Sequence, residues 1–193
     1  KKDNTMQNER YSGVSILLHW LIGIMIIAAF ILGVYMTDLP DDYPGKYTQL
    51  YMIHKSVGVL IFGLVALRLL WRLSHATPVY PATMPAWQKA AAKGAVWGLY
   101  GLMFAIPLSG WAMSSAGGHP IRIFGLEALQ LPMLLAKNPE LAHDIAEVHE
   151  LLAFVMMGLV GVHAAAALKH HFIDKDGVLR GMLPRCCGSC KRG

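Results

Sequence analysis

Nine histidines stand among 193 residues, and four of them fall inside long apolar runs. The run from Val148 to Leu168, VHELLAFVMMGLVGVHAAAAL, holds His149 and His163, with Glu150 as its one other ionisable side chain. Fourteen residues separate the two. On a helix that is about 21 Å and close to four whole turns, so both imidazoles leave the same face. His19 lies in the run SGVSILLHWLIGIMIIAAFILGVYM and His54 in YMIHKSVGVLIFGLVALRLL. In apolar surroundings an imidazole can bond neighbouring helices, pass protons, or ligate a metal through a neutral ring nitrogen. An ionisable group in a membrane-spanning helix is rare, and by default it marks function. The depth at which each helix holds its ring decides between these chemistries.

The chain is 55% hydrophobic and 15% charged, against about 25% charged in an ordinary soluble domain. The apolar residues are concentrated in four runs that predict an all-α, integral membrane four-helix bundle, with helices over 15–36, 49–73, 89–114 and 146–169. Residues 1–185 read as a single transmembrane domain and 186–193 as a short tail carrying Cys186, Cys187 and Cys190. The first run is too long for a signal-peptide core and is read as a retained helix. Lys and Arg gather at the N-terminus, in the 2–3 connection and in the C-terminal tail, while the two other loops hold few. This bias places both termini in the cytoplasm. The net charge of +5 therefore reads as topology signal and contact with membrane lipid, with no patch that would track nucleic acid. Gly94, Gly98 and Gly101 give the third helix a small-residue face for close approach. Pro107 leaves a carbonyl free in that helix's outer third. In the long outer loop, a short interfacial helix is expected over 126–136, and 139–147 is expected to begin a helix that runs into the fourth span.

Orientation sets the pairing. Helix 1 starts inside and helix 4 ends inside, so His19 and His163 share the inner level. Helices 2 and 4 both start outside, so His54 and His149 share the outer level. Two imidazoles at each of two depths are what two six-coordinate haem b groups require as axial ligands to iron. Zinc is disfavoured because neither level offers a third or fourth ligand, and the absence of a CxxCH sequence argues against covalent attachment. Cations near the interfaces would meet the anionic propionates: Arg68, Arg72 and Lys169 inside, Lys55 outside. The bland alternative, in which the histidines are polar glue or part of a non-haem proton path, explains single positions better than two matched pairs.

His75, His119 and His143 fall in loops or at a helix start and read as structural. His170 follows His163 by seven residues, two turns along the same face, and is placed as a proton donor near the inner site. Met52, Met156 and Met157 read as ordinary packing. The Cys187-x-x-Cys190 pair is half a metal site without its second half.

Four segments carry a resemblance: RYSGVSILLHW, YMIHKSVGVLIFGLVALRLLWRL, VHELLAF, and GVHAAAALKHHFIDKDGVLRGMLP. Through them the chain resembles the bacterial cytochrome b561 family of four-helix, di-haem membrane proteins. The resemblance covers nearly the whole sequence. It implies axial ligands on helices 1, 2 and 4, at His19, His54, His149 and His163. It further implies a multi-pass protein of the bacterial inner membrane and a superoxide:ubiquinone oxidoreductase, which passes electrons inward from superoxide to the quinone. Lys46, Lys55, Arg122 and Lys137 are the outer basic residues that could draw superoxide in. Two other functions stay open. One is an electron-transfer subunit relaying electrons between a partner dehydrogenase or hydrogenase and the quinone pool. The other is the non-haem proton path.

Overall fold

Ser12 opens the first helix: its Oγ accepts from the backbone N of Ser15 at 3.2 Å, satisfying one of the donors a helix start leaves unpaired. From there α1 runs Gly13–Asp38. It stops because Leu39 precedes Pro40 and takes the extended conformation (φ −73, ψ 147) that a following proline imposes. The computed structural model describes residues 10–80 and 84–184. At Gly45 the backbone turns left-handed (φ 82), a conformation glycine adopts without penalty. A wide π-turn at Lys46–Leu50 then leads into α2, Tyr51–Ser74. Pro85 caps α3, Ala86–Ala116, which continues through Pro107. Asn138 caps α4, Pro139–Lys169, its side chain accepting from Leu141 N at 3.1 Å, with Pro139 at the first position, where its missing N–H costs nothing. Another π-turn, His170–Asp174, leads to the five-residue α5, Val178–Met182.

The interfacial helix expected over 126–136 is absent. Two single 3₁₀ turns, Ile123–Gly125 and Glu127–Leu129, stand there instead, with one antiparallel bridge between Arg122 and Gln130. Phe124 and Gly125 take positive φ (49 and 76), which no α-helix accommodates, and Pro132 has no N–H to continue one. The loop's backbone is tied to the bundle instead. Phe124 N donates to Ser56 Oγ at 2.8 Å, Leu134 N donates to Ser115 Oγ at 3.1 Å, and Trp111 Nε1 donates to the Pro132 carbonyl at 2.9 Å. Helix α4 does begin at Pro139 and runs unbroken through the fourth span.

In the bundle α1 packs on α2, α2 on α3 and α3 on α4. The core is narrow, with Leu18, Ile22, Ile61, Val65 and Tyr100 at its centre, all from the first three helices. Helix α4 buries only Met156. Four helices are long and apolar enough to cross a membrane. Large apolar side chains such as Leu17 (67% exposed) and Leu70 (66%) point outward, a disposition that hydrocarbon tolerates and water does not. The segment after α4 returns to the start of α1. Tyr11 N donates to the Gly181 carbonyl (3.2 Å), Trp20 Nε1 to Met182 O (2.8 Å) and Arg10 Nη2 to Leu183 O (2.8 Å). The start of α1 and the end of α4 thus share one end of the bundle, here the termini end; the 39–50 and 117–138 connections form the loop end.

Candidate functional site

The four spanning histidines meet in two pairs. At the termini end His19 of α1 faces His163 of α4 with ring centroids 6.1 Å apart and planes at 66°. At the loop end His54 of α2 faces His149 of α4 at 6.3 Å and 75°. With about 2 Å for each metal–nitrogen bond and about 1.2 Å from ring centre to nitrogen, two imidazoles sharing one metal have centroids about 6.4 Å apart. Both pairs hold that spacing, and within neither pair does one ring hydrogen bond the other.

The loop-end pair is oriented from behind. His149 Nδ1 lies 3.0 Å from the Ile106 carbonyl and 3.0 Å from Ser109 Oγ, whose own hydroxyl donates to the same carbonyl at 2.8 Å. A carbonyl only accepts, so Nδ1 carries the hydrogen and Nε2 keeps the lone pair for a metal. His54 Nδ1 is buried without a hydrogen bond of good geometry; the Ala29 carbonyl faces it without closing one. Two glycines let helices reach the ring edges. A Cβ on Gly33 would lie 3.2 Å from His54 Cε1, and one on Gly110 would lie 3.1 Å from His149 Cε1. A cavity of about 300 Å³ opens beside this pair, lined by Phe30, Pro107 and Phe154 among other apolar side chains, and by Lys55. A flat apolar group with a charged edge fits these surroundings.

Residues 10–185 match the family described as prokaryotic cytochrome b561. The chain belongs to the prokaryotic cytochrome b561 family. It is 39% identical over 176 residues to "cytochrome b561 homolog 2" of Escherichia coli K12, covering 91% of this chain and 92% of that one. It is 33% identical over 180 residues to the "probable superoxide oxidase CybB" of Yersinia pestis (92% and 98% covered). With "cytochrome b561 homolog 1" of Escherichia coli K12 it shares 30% over 179 residues (91% and 98%). Membership makes it a multi-pass membrane cytochrome of electron transport and implies binding of haem b.

In this b561-family bundle the cations take different stations. Lys55 does not reach for solvent: its Nζ donates to Ser114 Oγ at 2.8 Å, and Ser114 in turn donates to the His119 carbonyl. Arg68 donates from Nε to Tyr100 Oη and from Nη1 to the Ser15 carbonyl, both at 3.2 Å. Arg68 and Arg72 line one small recess with Tyr11, Ser15 and His75 at the termini end. Lys169 is engaged by Asp174 at 2.7 Å. Lys46 pairs with Asp41 at 2.8 Å, and Arg122 lies 3.9 Å from Glu127. His170 sits in the turn after α4, its Nδ1 2.7 Å from Asp176 Oδ2. His75 stacks on Trp71 at 3.9 Å, and His143 pairs with Glu147 on the surface.

Sequence reasoning misses Gly33, Gly110, Ser109 and Ser114. It looks for small residues at Gly94, Gly98 and Gly101, yet of these only Gly98 approaches another helix, its Cβ position lying 3.4 Å from Leu159. Pro107 frees the carbonyl four residues before it, that of Met103, so the expected free carbonyl does not point to Ser109 or Gly110. The carbonyl that serves His149 is that of Ile106.

Proposed function

We propose that this chain is a di-haem b superoxide:ubiquinone oxidoreductase of the bacterial inner membrane, with the termini end in the cytoplasm. The observation that carries the reading is the two imidazole pairs, at opposite ends of α4, each at the spacing of a shared iron. His54 and His149 would hold the outer haem, His19 and His163 the inner one. Bound haem b supplies a one-electron carrier at each level. The protein's own groups do the rest. Ile106 and Ser109 fix the His149 ring, and the narrow helix surfaces at Gly33 and Gly110 let α1 and α3 close against both outer imidazoles.

Lys55 is a cation drawn into the bundle beside the outer pair, where it meets an anion: a haem propionate, or superoxide arriving from the periplasm. Arg68 and Arg72 serve the inner propionates. His170 delivers protons to the quinone. The overall change balances as two superoxide ions, one ubiquinone and two protons giving two dioxygen molecules and one ubiquinol. Support for the donor comes from the Yersinia pestis relative, whose name is probable superoxide oxidase.

The test is a stopped-flow trace of the oxidised, haem-replete protein mixed with superoxide, with and without ubiquinone. Fast, salt-sensitive reduction of the haem bands followed by reoxidation with ubiquinone is expected. A protein reduced only by a co-purifying iron–sulfur partner would replace this reading with that of an electron-relay subunit. His54→Ala and His149→Ala should each leave one haem per chain, as should His19→Ala and His163→Ala at the other level. Two haems in all four variants would refute the pairing.

A further inference from the structure

Resting on the assignment of His170 as proton donor, we infer that Asp176 is a positioning residue that works through His170. His170 Nδ1 lies 2.7 Å from Asp176 Oδ2 and 3.1 Å from Asp174 Oδ2. A carboxylate only accepts, so Nδ1 carries a hydrogen and Nε2 becomes the nitrogen that exchanges a proton with a substrate. The two acids differ. Asp174 receives Lys169 Nζ on both oxygens, at 2.9 and 2.7 Å, so its charge is matched. Among the described residues Asp176 pairs with no Lys or Arg; its only ionisable partner is His170.

Asp176 is also held in place itself. Its Oδ1 accepts from Val178 N at 3.0 Å, and its backbone N donates to the His170 carbonyl at 3.1 Å. Both side chains are largely covered, His170 14% and Asp176 17% exposed. The same three side chains bring ligand atoms within 4.8 Å of one another, but the ammonium of Lys169 already occupies both oxygens of Asp174, which marks a charge network rather than a cation site. Arg180 is the one other charged side chain on α5, which packs against this turn.

The location fits the role. The segment is fastened to α1 through Trp20, whose Nε1 donates to Met182 O at 2.8 Å and whose ring meets His19 edge-on at 5.4 Å. The His170–Asp176 couple therefore sits at the His19/His163 end of the bundle, where a quinone accepting electrons needs protons. In each transfer the doubly protonated ring gives its Nε2 proton to a quinone oxygen that has received an electron, which leaves the neutral Nδ1–H ring, and Nε2 is reloaded from cytoplasmic water.

The experiment compares wild type, His170→Ala, Asp176→Asn and the double variant, each carrying both haems. Superoxide is the donor and ubiquinone-1 the acceptor. Asparagine keeps an oxygen for Val178 N, so the turn is retained while the charge is lost. The maximal rate of quinol formation should fall about tenfold in Asp176→Asn, part of the roughly 10²–10⁴ that a positioned acid contributes, with an unchanged KM for ubiquinone-1. In the His170→Ala background Asp176→Asn should cost nothing further. Additive losses, or a full maximal rate in Asp176→Asn, would overturn the inference. A second readout needs no turnover: ¹⁵N-histidine NMR of the reduced protein should show His170 as the Nδ1–H tautomer in wild type and a mixture in Asp176→Asn. An identical tautomer in both proteins would also overturn it. If wild type forms no quinol, the proposed function fails, and the tautomer measurement still decides the role of Asp176.

Discussion

At the scale of single residues, the loop-end pair depends as much on what is missing as on what is present. Gly110 has no side chain because a Cβ would press within 3.1 Å of His149 Cε1 and 3.4 Å of Nδ1. On the proposed di-haem assignment, Gly110→Ala should tilt or displace that ring, changing the electron paramagnetic resonance signature of the loop-end haem or losing it, while the other haem is unaltered. Gly94, with nothing within 4 Å of its Cβ position, is the control. Gly94→Ala should keep both haems and raise stability by up to about 1 kcal/mol through helix propensity alone. A second residue-scale case lies at the loop end. The hydrogen bond from Lys46 holds the Asp41 carboxyl below its usual range. A carboxyl depressed in this way stabilises the fold above its unfolded pKa of about 3.9 and loses that contribution as pH falls through the folded value. Amide protection factors across residues 39–46, corrected for the intrinsic pH dependence of exchange, should therefore fall on acidification in wild type. In Asp41→Asn they should be low already and show little further change with pH.

At the scale of elements, α4 carries one member of each histidine pair, so its axial position and rotation set both levels at once. Its start is fixed by Asn138, which accepts from Leu141 N and donates its own backbone N to the Ala116 carbonyl at 2.8 Å. The second bond ties the helix to the end of α3. Asn138→Ala should remove the side-chain cap and cost about 1 kcal/mol, seen as a lower unfolding midpoint in detergent with haem content unchanged. No shift in the midpoint would mean that packing against α3 sets this end without help from the cap. The 31-residue length of α4 also explains why its first turns, which carry Glu140, Asp144 and Glu147, stand beyond the apolar span. They belong to the loop end and leave His149 at the level of His54.

At the scale of the whole molecule, the bundle is closed on three seams and open on the fourth. Helix α1 meets α4 through Phe30 against Phe154 (5.3 Å, planes at 88°) and across the His19/His163 pair. Helix α4 adds only Met156 to the buried set. A group filling the space beside α4 would supply the packing that the protein does not. Any group bound by the folded state alone stabilises it, by about 2.7 kcal/mol at a hundredfold excess over Kd. Protein produced without haem should therefore melt at a lower temperature than the haem-replete form. Its hydrogen exchange should be fastest in α4 and remain slow around Ile61 and Val65, where the first three helices make the core. Uniform exchange in all four helices would show that α4 is held by α3 alone.

What the sequence by itself determined is what apolar run length and histidine spacing determine locally. These are four spans, a helix that begins near Pro139 and runs into the fourth of them, and the facts that His149 and His163 share a face and that each has one counterpart at its own depth. The pairing was legible because bilayer thickness turns position along the chain into depth, and only two rings fall at each level. Tertiary structure alone decided how each ring is held. The Ile106 carbonyl and Ser109 come to His149 from another helix, 43 and 40 residues away, and no local pattern announces such a bond. Small residues are common in spanning helices, so glycine spacing on α3 could not say that Gly110 faces a ring and Gly94 faces nothing. The stretch 126–136 within the long loop was misread as helical for the same reason. The loop's apolar residues hold hydrogen bonds to Ser56, Ser115 and Trp111 that only the assembled bundle provides, and those bonds outweigh a weak local helix preference broken at Gly125 and Pro132.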